Sequence, residues 1–100
     1  MNNQIRVLFC RVGKPAKIRA VDNELHALQT MVDGYIETVT MPDGAILVCN
    51  EEGLLMGLPW NRKVCGVDVV GDFFITTADD EGNFIDLPEE LMRKYLELLA

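Results

Sequence analysis

Seven side chains in the middle of the chain have the types that recognise polar ligands: Glu37, Asn50, Glu51, Glu52, Trp60, Asn61 and Arg62. Asn and Glu hydrogen-bond the amide, ribose or base edges of a ligand, and Arg clamps a phosphate or carboxylate through its planar fork. Trp60, beside Asn61 and Arg62, offers a face on which a planar group stacks. These residues fall within Gly34–Arg62, where polar side chains stand directly beside strongly apolar runs. An internal reading competes with the ligand reading. Asn50 would cap the turn after its strand, Glu51 and Glu52 would face solvent, and Arg62 would pair with Glu37 or Glu51 inside the domain.

Other chemistries find less support. Glu51-Glu52, Asp79-Asp80-Glu81 and Asp86 are carboxylates of the kind that hold divalent cations. Neither a full calcium-loop spacing nor a phosphate-cradling glycine loop accompanies them, so no metal site or cofactor is assigned. Cys10, Cys49 and Cys65 sit in apolar stretches, as buried free thiols do. Their odd number and wide spacing do not suit a disulfide framework or a zinc site. One histidine, His26, must serve any base catalysis, and the chain contains no serine. No catalytic residue is assigned, and binding is expected over catalysis.

The elements that must position these groups follow from periodicity. Ile5, Val7 and Phe9 alternate with Arg6, Leu8 and Cys10 as in a strand. Val12-Gly13-Lys14-Pro15 then turns the chain into a second strand over Ala16–Val21, with basic residues on the outer face of the hairpin. Asp22 is placed to cap a helix over Asn23–Asp33, carrying Leu25, Leu28, Met31 and Val32, with Gly34 as its left-handed terminator. Pro42-Asp43-Gly44 joins strands over Tyr35–Met41 and Ala45–Cys49, the second apolar throughout and therefore central in a sheet. Asn50-Glu51-Glu52-Gly53 is a turn, and Leu54–Leu58 reads equally as a short strand or one helical turn before Pro59. Leu-Pro-Trp-Asn-Arg is read as a second polar turn. Val64–Thr77 holds either two short strands or one bulged strand around Gly71-Asp72. After an acidic turn at Asp79–Asn83 and a brief strand at Phe84-Ile85, Pro88 at the first helical position opens a C-terminal helix. Its stripe is Leu91, Met92, Tyr95, Leu96, Leu98 and Leu99. The sum is a single α+β domain with a mainly antiparallel sheet of about five to six strands and two helices packed on one face of it.

One hundred residues, nearly half of them apolar and a quarter charged, suit one globular domain over residues 1–100. No apolar run is long enough for a membrane span, and the N-terminus lacks a secretory pattern, so a reduced cytoplasmic protein is expected. The net charge of −7 argues against general nucleic-acid binding. It is unevenly spread: residues 1–19 carry +5 with no acid, and residues 20–100 carry −12. Either acidic neighbours neutralise the basic hairpin, or it forms a strip for an anionic ligand. Small sheets also leave edges that self-association covers, so a homo-oligomer is expected.

The segments Gly34-Tyr35-Ile36-Glu37, Pro42-Asp43-Gly44, Val48-Cys49-Asn50-Glu51-Glu52-Gly53 and Leu58-Pro59-x-Asn61-Arg62, in this order and spacing, resemble a known family. It comprises small domains of unknown function encoded by bacteriophages, plasmids and gut bacteria. The resemblance runs from the first strand through Gly71-Asp72-Phe73-Phe74. It implies a stand-alone accessory protein of mobile DNA, with no established activity to carry over; such genes commonly encode modulators of host defence. Two roles are expected: a binder of a small polar or nucleotide-like ligand at the seven residues above, or an acidic module that binds and modulates a host protein.

Overall fold

The fold, obtained as a computed structural model, is described for residues 3–100. Its elements are β1 (Gln4–Cys10), β2 (Lys17–Asp22), α1 (Leu25–Val32), β3 (Ile36–Thr40) and β4 (Ile46–Asn50). They continue with β5 (Trp60–Val64), β6 (Val67–Val70), β7 (Phe73–Ala78), β8 (Phe84–Ile85) and α2 (Glu89–Leu99). Every strand pair is antiparallel. The main sheet has six strands in the order β2-β1-β7-β4-β3, with β8 pairing the end of β7, and β5-β6 form a separate two-stranded sheet. This is an α+β fold.

The apolar pattern of the strands requires two covers, one for each face. Ile5, Val7, Val48 and Phe74 point to one side and pack with Leu28 and Val32 of α1. Leu8, Cys10, Leu47, Phe73 and Ile75 point to the other and pack with Val64 and Val69 of the β5–β6 hairpin and with Met92, Tyr95 and Leu99 of α2. The expectation of both helices on one face is therefore corrected: they lie on opposite faces. Adjacent residues of one strand, such as Leu47 and Val48, are both buried, so a single covering layer cannot serve them. Phe73 to Thr76 are buried without a break, which makes β7 the central strand. β4 is interior as well, between β7 and β3.

Several boundaries shift for local reasons. Helix α1 begins with Glu24 as its cap, whose carboxylate accepts the Ala27 N–H at 2.6 Å. Asp22, expected as the cap, ends β2 and accepts a hydrogen bond from Gln4. The left-handed residue at the end of α1 is Asp33 (φ +61°), not Gly34. Glycine is needed at 34 for a different reason: a Cβ there would stand 2.7 Å from Nδ2 of Asn50. Pro88 stands at the cap of α2, one residue before the helix, and its carbonyl accepts the Met92 N–H. On the helix stripes Leu25 and Leu98 are exposed; Leu28, Val32, Met92, Tyr95 and Leu99 carry the burial, at about 1.5–3 kcal/mol for each large aliphatic side chain.

The Pro42-Asp43-Gly44 hairpin forms as expected, with the Met41 N–H donating to the Ala45 carbonyl and Gly44 at φ +92°. Asp43 does more than turn the chain. Its carboxylate accepts from the Ala45 N–H at 3.0 Å, from Lys94 at 2.6 Å and from the Tyr95 hydroxyl at 2.9 Å, which fastens the hairpin to α2. Val64–Thr77 resolves into β6 and β7, with Val64 belonging to β5.

Candidate functional site

The seven candidate residues separate into two regions, and three of them are engaged inside the fold. Asn50 ends β4 at 5% exposure. Its amide nitrogen donates to the carbonyls of Val32 (3.0 Å) and Asp33 (3.1 Å), and its side-chain oxygen accepts the Glu52 N–H at 2.7 Å. One side chain thus closes the C-terminus of α1 and the turn after β4. Asn61, at 7% exposure, donates to the carbonyls of Cys10 (3.0 Å) and Gly71 (2.9 Å).

Arg62 donates to the carbonyls of Leu99, Arg11 and Lys14 and to Oδ1 of Asn61. It holds the C-terminal end of α2, where a cation also suits the helix dipole, against the β1–β2 turn. Trp60, Asn61 and Arg62 lie on strand β5 and not in a turn, which corrects the expectation drawn from Pro59. A register shift between Trp60 and Arg62 turns Asn61 inward. Trp60 is exposed, and its indole N–H donates to Asp68 of β6 at 3.2 Å.

Glu37, Asn50 and Glu51 do share a feature. Together with Leu47, Cys49 and β6 they line a groove of about 370 Å³ between β3–β4 and the β5–β6 hairpin, closed at one end by Gly53, Leu54 and Leu55. The register explains its floor: Glu37 opposes Cys49 and Val39 opposes Leu47, so these four side chains stand on one face. Glu37, Glu51 and Asp68 supply three carboxylates to the lining, and Lys63 sits 3.8 Å from that of Asp68. Burial, together with the Glu37 charge and hydrogen bond, pushes the Cys49 thiol up to about 11. It stays protonated at neutral pH and is a poor nucleophile. Cys10 rises equally to about 11 through burial, against the pull of Arg62. Cys65, expected in an apolar strand, is instead exposed in the β5–β6 turn. It takes φ +47° beside Gly66 at φ +84°, the pair of positive angles that a two-residue hairpin needs.

In the segment between β4 and β5, the sequence pointed to Glu51 and Glu52 but not to the exposure of Leu54 and Leu55. The segment is neither a strand nor a regular helix but a string of turns. Met56 N–H donates to Glu52, Leu58 N–H to Gly53, and Glu51 N–H to Tyr35. Leu58 folds back: a Cβ on Gly71 would lie 2.7 Å from its Cδ1, and one on Gly53 would lie 2.9 Å from Val70. The two glycines therefore let the segment sit tight on β6. Held in this way, Leu54 and Leu55 stand 83% and 88% exposed, with Met56, Trp60 and Val67 also exposed. The available signal was Leu54-Leu55-Met56 after Glu51-Glu52-Gly53, an apolar triplet with no sheet pattern to bury it.

A family model described as a domain of unknown function, DUF3846, matches residues 5–100. The chain belongs to the DUF3846 family. No curated protein and no solved structure matches it. In this DUF3846 domain the match runs from Ile5 in β1 past the end of α2 and includes the groove and the Arg62 latch. Among its described residues no three His, Cys, Asp or Glu side chains are grouped to hold a metal ion, and no helix is long and apolar enough to cross a membrane. The acidic turn at Asp79 uses its carboxylate internally, accepting from the N–H groups of Asn83 and Glu81.

Proposed function

We propose that this DUF3846 domain is a non-catalytic protein-binding module that takes an extended, apolar and basic segment of a partner into the groove beside Leu54 and Leu55. The observation that carries the reading is the pair of leucines held out by a hydrogen-bonded loop. Apolar side chains fixed in water are recognition surface, since burying each returns about 1.5–3 kcal/mol without the cost of ordering a flexible loop. Glu37, Glu51 and Asp68 along the groove favour a segment with Lys or Arg beside its apolar residues.

The free edge supports an extended occupant. Among the described residues β3 pairs only with β4, so its outer backbone groups are open to an added strand. The other edge, β2, carries Lys17 and Arg19, which discourage such pairing, whereas Ile36–Thr40 contains no basic residue and no proline. In this proposal the partner is a host protein in the cytoplasm, in keeping with the resemblance to small proteins of mobile DNA. Selection from a random peptide library tests it: enriched peptides should combine two large apolar residues with a neighbouring cation. Enrichment of acidic or purely polar peptides, or of none, would refute it. Light scattering separates the remaining occupant of the same edge, a second copy of the chain, which would double the mass.

A small polar ligand is the second reading. A groove of about 370 Å³ is within the range of small-molecule sites, and Glu37, Asn50 and Glu51 line it. Thermal-shift screening against nucleotides and cyclic nucleotides tests this, and a flat response across the panel would count against it.

A further inference from the structure

A second concave feature lies on the N-terminal hairpin and is independent of the groove. Phe9, Arg11, Lys14, Pro15, Lys17 and Arg19 line a cleft of about 230 Å³. Phe9 pairs with Lys17 and Val7 with Arg19 across β1–β2, so Lys17 and Arg19 project from the same face as the Phe9 ring. Arg11 and Lys14 come from the turn that closes the hairpin. Lys14 N–H donates to the Arg11 carbonyl at 3.1 Å, Gly13 takes φ +73°, and Arg62 donates to the carbonyls of both Arg11 and Lys14. The Arg11–Lys14 turn is thereby fixed, and four cations are brought around one apolar floor.

Three of these four cations have no neutralising neighbour among the described residues. Among the described residues, ion pairs join Arg11 to Asp72 at 3.8 Å, Lys63 to Asp68 and Lys94 to Asp43. Lys14, Lys17 and Arg19 have no acidic partner among those residues. Protection of the sheet edge accounts for Lys17 and Arg19 but not for Arg11 and Lys14, which are off the edge strand, nor for the cleft between them.

We propose that this cleft is a binding site for a small phosphate-bearing molecule of mononucleotide size. The dianionic phosphate meets the cations, and Phe9 with Pro15 receives the sugar or base. The enclosed volume, below the ~300–1,000 Å³ of drug-sized sites, suits one such unit.

Titration of the ¹⁵N-labelled chain in phosphate-free buffer tests the site, with adenosine 5′-monophosphate, adenosine and a short single-stranded oligonucleotide as probes. The monophosphate should give saturable shifts at the amides of Arg11, Lys14, Lys17 and Arg19, and adenosine should give none. The double variant K17A/R19A should bind about tenfold more weakly at unchanged Tm, as expected for losing two exposed charge contacts; R11Q/K14Q should repeat this from the turn side. Absence of saturation, equal shifts with adenosine, tighter binding of the oligonucleotide at the same residues, or undiminished binding by both variants would overturn the proposal.

Discussion

Asn50→Ala separates an architectural role for this side chain from a ligand-binding one, and its cost follows from the geometry. The amide makes three internal hydrogen bonds with backbone groups, two to the final carbonyls around the end of α1 and one from the Glu52 N–H. At about 0.5–1.5 kcal/mol net for each bond, and with partners left unsatisfied in a buried place, the loss should be about 2–4 kcal/mol. For a domain of this length that lowers Tm by about 10–20 °C. Urea unfolding followed by circular dichroism is the assay, and the midpoint should fall at unchanged slope. Gly34→Ala supplies the second arm. A Cβ at 34 would lie 2.7 Å from Nδ2 of Asn50, so the clash disappears once the amide is removed. The double variant should therefore be less destabilised than the two single losses added together. A loss below about 1 kcal/mol for Asn50→Ala, or strict additivity with Gly34→Ala, would refute the reasoning.

Arg62→Ala should cost about 2 kcal/mol through its lost bonds to the Leu99, Arg11 and Lys14 carbonyls, and Arg62→Lys should restore less than half, because an ammonium cannot reproduce the fork; urea unfolding measures both. Partial burial raises the Asp43 carboxyl, but the hydrogen bonds from Lys94, the Ala45 N–H and Tyr95, with the Lys94 charge, outweigh it and hold its pKa below the ordinary carboxylate value. Its contribution is therefore complete above that ordinary value and is lost as pH falls through the lowered one. Stability against pH should accordingly be flatter below pH ~4 in Asp43→Asn than in the parent chain. With a limiting thiol reagent at neutral pH, Cys65 should be modified first, half-buried Cys49, raised to about 11 by burial and Glu37, more slowly, and buried Cys10, raised to about 11, only on unfolding; peptide mass mapping reads the order.

Much of the fold could be read from local chemistry. The Pro42-Asp43-Gly44 turn and the interior position of apolar Ala45–Cys49 rest on residues that act within a few positions of themselves. What covered each sheet face was less accessible. Leu47 and Val48 announce burial on both sides, but nothing in their order says that α1 takes one face while α2 and the β5–β6 hairpin take the other. The candidate site suffered from the same limit. Asn61 and Arg62 read as ligand-binding because their partners, the carbonyls of Cys10, Gly71, Leu99, Arg11 and Lys14, are backbone atoms remote in sequence. Backbone carbonyls carry no residue signature, so such a latch is invisible before folding. Pro59 suggested a turn at Trp60–Arg62, yet the proline stands just outside the strand, where it removes no ladder donor.

In the proposed function the groove flanked by Leu54 and Leu55 is the binding surface. Mapping ¹⁵N–¹H shifts on addition of a selected apolar and basic peptide tests it most directly, with the exposed double substitution L54N/L55N as the comparison. Shifts should gather on Glu37–Val39, Glu51–Leu55 and Val67–Val70, and L54N/L55N should bind at least ~10-fold more weakly at unchanged Tm. Shifts centred elsewhere, or equal affinity in the substituted chain, would contradict it.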